Sequence, residues 1–288
     1  MNVFEKSADA IEIADYLLYL RIGAADFAGE LHQASTLGIA QRYVFLRRGP
    51  HGDVAGINSM GISLTGLYSN DILTPRHDLA GNHLQEVSPE SGQRLRDLFT
   101  RYGAITLLFD GNQCDAELAA IIAKEAKRAG RHIVAIQTGG EALAVDSHAW
   151  KTLNRFADLA VHMSSDESPA MLADMIWSSA VLPGDVGVDF SDFVAQTREQ
   201  GWCHAAVLPL EEAALRNYGQ SLGGFASARK FIWVNIHAQS PASYDLLSIY
   251  GNCILSLAPD DAYSMIVGMP RLTNMAATIP ESLVVFHA

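Results

Sequence analysis

The chain has 288 residues, 49% of them hydrophobic and 18% charged, with a formal net charge of −12. That apolar content suits a globular chain with a sizeable core and excludes intrinsic disorder. The 20 Lys and Arg form no basic run and are outnumbered by 32 Asp and Glu, which excludes a sequence-independent nucleic-acid binder and argues against docking on an anionic membrane surface.

In chain order, Tyr16 to Ile22 is a short apolar run that predicts a strand. A helix is expected over Gly29 to Leu37 and a strand over Tyr43 to Arg47. Residues 48 to 87, rich in Gly, Asn, Asp and His, show no clear period. Ser88-Pro89-Glu90 is a helix start, a cap followed by Pro at the first position, and predicts a helix to about Tyr102. Ala104 to Phe109 reads as a buried strand, Asp110 to Gln113 as a loop, and Ala116 to Ala129 as a helix closed by basic residues and Gly130. Strands follow at Ile133 to Gln137 and Leu159 to His162, and Ser168-Pro169 opens a helix to about Val181.

After an acidic loop and a helix ending near Gly201, a second unit begins. Strands are expected at Cys203 to Leu208, Phe231 to Ile236, Tyr263 to Val267 and Leu283 to Phe286, with helices at Glu211 to Tyr218 and Ser243 to Ser256. Strands alternating with helices predict an α/β protein with a mainly parallel sheet, whose ligands bind at the carboxyl ends of strands. The helix from Ser168 should bridge two sheets, with Met171, Leu172, Met175, Ile176 and Ala180 recurring on its buried face.

Cys114, Cys203 and Cys253 are widely spaced and form no disulfide framework, as expected of a reducing compartment such as the cytoplasm. Met1 to Lys6 lacks the pattern of a secretory signal, and no apolar run has the length of a membrane span. The ten histidines show neither HxxxH nor HExxH spacing, so no metal site is expected.

The segment Pro183-Gly184-Asp185-Val186-Gly187-Val188-Asp189-Phe190-Ser191-Asp192 places two carboxylates three residues apart, on one face of a helical turn. Such acids can serve as an ordinary N-terminal cap or can orient a water molecule. The segment resembles the synergy loop of the tubulin/FtsZ family, whose pattern is Gly-x-x-Asn-x-Asp-x-x-Asp; both Asp positions match and Gly187 replaces the Asn. Phe225 to Ile236 resembles the family's GARGVLVNI region, Tyr250-Gly251-Asn252-Cys253-Ile254 its VGNTI, and Ile122 to Ile136 the helix and strand after its phosphate loop. The resemblance spans nearly the whole chain. It implies a Rossmann-like domain over 1–166, a connecting helix and acidic loop over 167–201, and a smaller α+β domain over 202–288. It also implies that Asp189 and Asp192 would act catalytically on the GTP of a neighbouring subunit.

The same resemblance exposes departures. The family's glycine-rich phosphate loop is replaced by Asp110-Gly111-Asn112-Gln113-Cys114-Asp115-Ala116-Glu117, with one glycine and three acids. Glycines there let backbone N–H groups approach phosphate, whereas each unneutralised carboxylate beside one opposes it by about 1–4 kcal/mol. The first glycine loop reads Gly23-Ala24-Ala25-Asp26-Phe27-Ala28-Gly29, with side chains that could fill nucleotide space. Asp166 and Glu167 fall where the family contacts guanine, and also suit a capped helix start. Were a nucleotide bound, Gly23, Gly111, Asn112, Asp166 and Glu167 would be its contacts. The leading expectation is a pseudo-GTPase with no cofactor that associates with itself or with a true FtsZ-like partner. The alternatives are a filament protein binding GTP or GDP with Mg²⁺ through a rewired loop, and a scaffold without filament chemistry.

Overall fold

The apolar runs are strands, and most of them share one sheet. A computed structural model describes residues 17–23, 41–48, 54–58, 73–77, 83–87, 89–139, 143, 147–163, 169–181, 195, 203–221, 231–238, 243–258, 263–270 and 281–287. In order, the elements are β1 (Leu17–Gly23), β2 (Gln41–Arg48), β3 (Val54–Asn58), β4 (Leu73–His77), β5 (His83–Val87), α1 (Pro89–Phe99), β6 (Ala104–Asp110), α2 (Gln113–Arg128), β7 (His132–Thr138), α3 (His148–Phe156), β8 (Leu159–Met163), α4 (Pro169–Val181), β9 (Cys203–Pro209), α5 (Glu212–Ser221), β10 (Phe231–Ala238), α6 (Tyr244–Leu257), β11 (Tyr263–Pro270) and β12 (Ser282–His287).

Ten strands form a single sheet in the order β11-β10-β12-β9-β8-β7-β6-β1-β2-β3, and β4 pairs with β5 apart from it. From β1 through β9 the pairs β1–β2, β1–β6, β6–β7, β7–β8 and β8–β9 are parallel. Antiparallel pairs occur at β2–β3 and on both sides of β12. The expectation of two sheets is therefore corrected: the halves join through β8 and β9. That join is short. Only Val161, His162 and Met163 pair with Cys203, His204 and Ala205, so β9 starts opposite the middle of β8 and the pairing ends where β8 ends.

Alternation along the strands splits the core between the two faces. One face, here the back, is a continuous apolar cluster. It takes Leu17, Leu108, Ile136 and Val161 from one half and Cys203, Trp233, Val284 and Phe286 from the other, with α4 between them. The other face, the front, holds two separate clusters. One lies under α1, α2 and α3, with Leu20, Ile105, Phe109 and Ala135; the other lies under α5 and α6, with Ile232, Ile236, Leu283 and Val285.

Each helix is specified locally. In α4 the sequence PAMLADMIWSSAV holds one charge and is apolar around most of its circumference, the pattern of a buried helix. Met171, Leu172, Met175 and Ile176 are buried, as expected, and so is Trp177; Ala180 lies within the helix, but its side chain is outside the described set. The Trp177 indole N–H donates to Thr106 Oγ1 at 2.7 Å, so the largest side chain of the helix is anchored on β6. Helix α2 ends where Gly130, at φ +75°, lets Arg131 N donate to Ala126 O and Gly130 N to Lys127 O, a Schellman closure that needs a residue without Cβ.

Helix α3 is not expected from its sequence. Ser147 caps it by accepting from Trp150 N at 3.1 Å, and Ala149 and Leu153 supply a buried face two contacts wide. Strands β3, β4 and β5 emerge from the segment without clear period. The helix expected over Gly29 to Leu37 lies outside the described residues.

Candidate functional site

The parallel half of the sheet brings β1, β6, β7 and β8 to a common carboxyl edge. Ile22 pairs with Phe109, Asp110 with Thr138, and Thr138 with Met163. Gly23, Gly111 and Asn112 therefore lie at one edge, as expected for a ligand site in a parallel α/β sheet. Asp110 is the last residue of β6 and Gln113 the first of α2, so only Gly111 and Asn112 form the loop. Asp26 and Phe27 lie outside the described residues. So do Asp166 and Glu167, just beyond β8, and Asp189 and Asp192.

Two side-chain networks fill this edge. Arg21, buried near the end of β1, donates from one guanidinium nitrogen to Asp110 Oδ1 at 2.7 Å and from the other to Thr138 Oγ1 at 3.3 Å. The Thr138 hydroxyl also lies 3.1 Å from Asp110 Oδ1. Three adjacent strands are thereby tied together at their carboxyl ends. A cation in an otherwise apolar strand must find a partner, and the sequence LLYLRIG carried that signal. Its partners stand 89 and 117 residues away along the chain.

The second network closes the start of α2. Asn112, with φ −77° and ψ 148°, is its N-cap. Its Oδ1 accepts from Asp115 N at 3.0 Å, and its amide donates to the Asp115 carboxylate. Asp115 is buried, so its negative charge sits in the first turn, where the helix dipole favours an anion. Glu117 accepts from Gln113 Nε2 at 2.9 Å. Gly111 N donates to Thr138 O at 3.1 Å. Of the three acids, Asp110 is paired with the Arg21 guanidinium, while Asp115 and Glu117 accept from the neutral amides of Asn112 and Gln113 and keep their charge.

These contacts carry measurable weight. Asn112→Ala should cost about 1–2 kcal/mol, the usual loss of a cap, read by urea denaturation. Asp110→Ala removes the carboxylate from the Arg21 guanidinium. Breaking a fully buried pair costs about 3–5 kcal/mol, but the Asp110 side chain is 34% exposed, so about 2 kcal/mol is expected. Asp110→Asn, which keeps a hydrogen-bond acceptor, should recover part of it.

No protein-family model matches the chain, and no curated protein matches it. Solved structures do. A point-mutant FtsZ from M. jannaschii superposes with a TM-score of 0.56 at 12% identity, over 94% of this chain and 90% of that one. An empty FtsZ dimer from M. jannaschii gives 0.52 at 11% identity, over 94% and 87%. The fold is tubulin/FtsZ-like. At such identity the likeness is one of architecture alone. Within the FtsZ-like fold, α4 is the central helix between a Rossmann-like half and a smaller carboxyl-terminal half.

Among the described residues, no group of three or more His, Cys, Asp or Glu is placed to hold a metal ion. Among the same residues, no helix is long and apolar enough to cross a membrane.

Proposed function

We propose that the chain is an FtsZ-like pseudo-GTPase that self-associates or modulates a true FtsZ-like filament, in cell division or another cytoskeletal task, without a cofactor of its own. The observation that carries this reading is the Asn112–Asp115 cap. In a parallel α/β fold a helix N-terminus at the carboxyl edge is a ready phosphate site because its N–H groups and dipole point at the ligand. Here the Asn112 side chain takes one of those donors and the buried Asp115 carboxylate supplies the negative charge. Beside it, Arg21 is neutralised by Asp110. As arranged, these residues do not fit a triphosphate.

Binding of GTP or GDP with Mg²⁺ through Asp110, Asp115 and Glu117 would require those carboxylates to leave Arg21, Asn112 and Gln113. Units 1–166, 167–201 and 202–288 serve in this reading as nucleotide-like domain, connector with acidic loop, and carboxyl-terminal domain. Asp189 and Asp192 would be the groups offered to a neighbour's GTP.

The test is a titration of a true FtsZ-like protein from the same cell with the wild-type chain and with Asp189→Asn/Asp192→Asn. Asn also caps helices, so the double variant should remain folded. Wild type is expected to change the partner's steady-state GTP turnover, and the variant to lose that effect. Superimposable curves for the two proteins, or no effect of either, would count against the role in trans and favour a scaffold without filament chemistry.

A further inference from the structure

The histidines that look scattered along the chain form a row across it. His162 on β8 pairs in register with His204 on β9, and His204 with His287 on β12. The Nδ1 atoms of His162 and His204 are 3.2 Å apart. The His204 and His287 rings stack at 5.3 Å with an interplanar angle of 20°. Tyr218 from α5 reaches His287 Nε2 at 3.0 Å, and Gln137 on β7 is the register neighbour of His162. The row lies on the front face, between the cluster under α1, α2 and α3 and the one under α5 and α6. It crosses the three-residue join between β8 and β9, one residue below the carboxyl edge.

We propose that this row is a proton-operated joint: loading protons onto His162, His204 and His287 opens the front of the β8–β9 join while the continuous back-face core under α4 acts as the pivot. A contact between two imidazole nitrogens at 3.2 Å needs a lone pair on one of them. When both rings carry a proton, two donors and two positive charges face each other. A third cation stacked on His204 adds to the repulsion, in a site from which water is largely excluded. Opening relieves this by hydrating the rings. Gln137 from β7 and Tyr218 from α5 face the row. The adjacent Cys203 thiol is buried on the other face, where burial holds its pKa far above the ordinary value.

Burial, and then the neighbouring imidazole, depress the pKa of His204, and that of His287 to about 4. In an opened join His287 would regain its ordinary value near 6.5, so at pH 5.5 the opening equilibrium rises about tenfold from His287 alone. The back-face core holds the halves together meanwhile, so the change is local.

The experiment is amide hydrogen exchange on the full chain at pH 7.5 and 5.5, corrected for intrinsic exchange. Segments 159–163 and 203–209 should lose protection by tenfold or more at pH 5.5 and should be less protected there than 104–110, whose exchange follows global unfolding and also falls as His237 and His287 take up protons. The variant His287→Gln, neutral at both pH values and able to hydrogen-bond Tyr218, should lose most of that pH response. Unchanged protection of 159–163 and 203–209 would overturn the proposal, as would protection at pH 5.5 equal to that of 104–110, which would mean that the join opens only with global unfolding. If the variant does not fold, NMR titration of the wild-type histidines decides. His287 titrating well below 6.5 together with shifts in β8 and β9 amides supports the joint; titration of His287 near 6.5 without such shifts overturns it.

Discussion

Trp177→Ala should destabilise the chain by about 3–5 kcal/mol, a loss that would lower Tm by on the order of 10 °C. Trp177 is 2% exposed on α4 and lies in the cluster shared by both halves of the sheet. Truncation removes the largest side chain of that helix and leaves a cavity that strands from both halves would have to fill. It also strips Thr106 Oγ1 of its indole donor, and a buried hydroxyl left without that bond costs about 1–3 kcal/mol. Trp177→Phe separates these contributions, since it keeps most of the volume and removes the N–H. Because one core serves both halves, unfolding of the variant should remain a single transition. A loss under 1 kcal/mol, or two resolved transitions in calorimetry, would contradict the placement of α4 at the centre of the fold.

Acid should weaken the fold well before the carboxylates titrate. His237 is buried, its Nε2 has no hydrogen-bond partner among the described residues, and burial depresses its pKa to about 4. His287 is likewise lowered to about 4, by burial and then by His204. Both are neutral in the folded chain, whereas in the unfolded chain they bind protons below about pH 6.5. The unfolded state therefore holds more protons in that range, and stability rises with pH. The contribution is complete above about pH 6.5 and is lost progressively towards pH 4, by about 3 kcal/mol for each histidine. His204, also lowered, acts in the same direction. Urea denaturation at pH 7.5, 6, 5 and 4.5 measures this directly. Stability independent of pH between 7 and 5 would contradict the buried, neutral state of these rings.

The sequence yields the fold more readily than the site. Strands such as Ala104–Asp110 and His132–Thr138 are short apolar runs that read as buried strands, and α2 announces its end in basic residues and Gly130, whereas its start at Gln113 lies three residues before the expected Ala116. Helix α3 escaped because its fully buried residues are only Ala149 and Leu153, in a short segment that also holds His148, Lys151, Asn154 and Arg155. The segment holding β3, β4 and β5 lacks the alternation that a half-buried strand would display. At the site, Gly111 and Asn112 were legible as a loop that had lost its glycines. The Arg21–Asp110–Thr138 tie was not, because strand pairing alone brings those residues together. The histidine row was hidden for the same reason: its period runs across β8, β9 and β12, and no spacing along the chain encodes it. Asp189 and Asp192 rest on the sequence motif, since the described residues do not include them.

The claim at the centre of this account is that the chain's own side chains occupy the place where a parallel α/β fold would receive phosphate. Titration calorimetry of the full chain with GTP and Mg²⁺, paired with phosphate release at protein concentrations well above micromolar, tests it most directly. The account predicts no saturable heat up to millimolar GTP and no turnover above background. Saturable binding at micromolar GTP, or turnover comparable with that of an ordinary FtsZ, would contradict it, because either requires Asp115 and Asn112 to yield the start of α2 to the nucleotide.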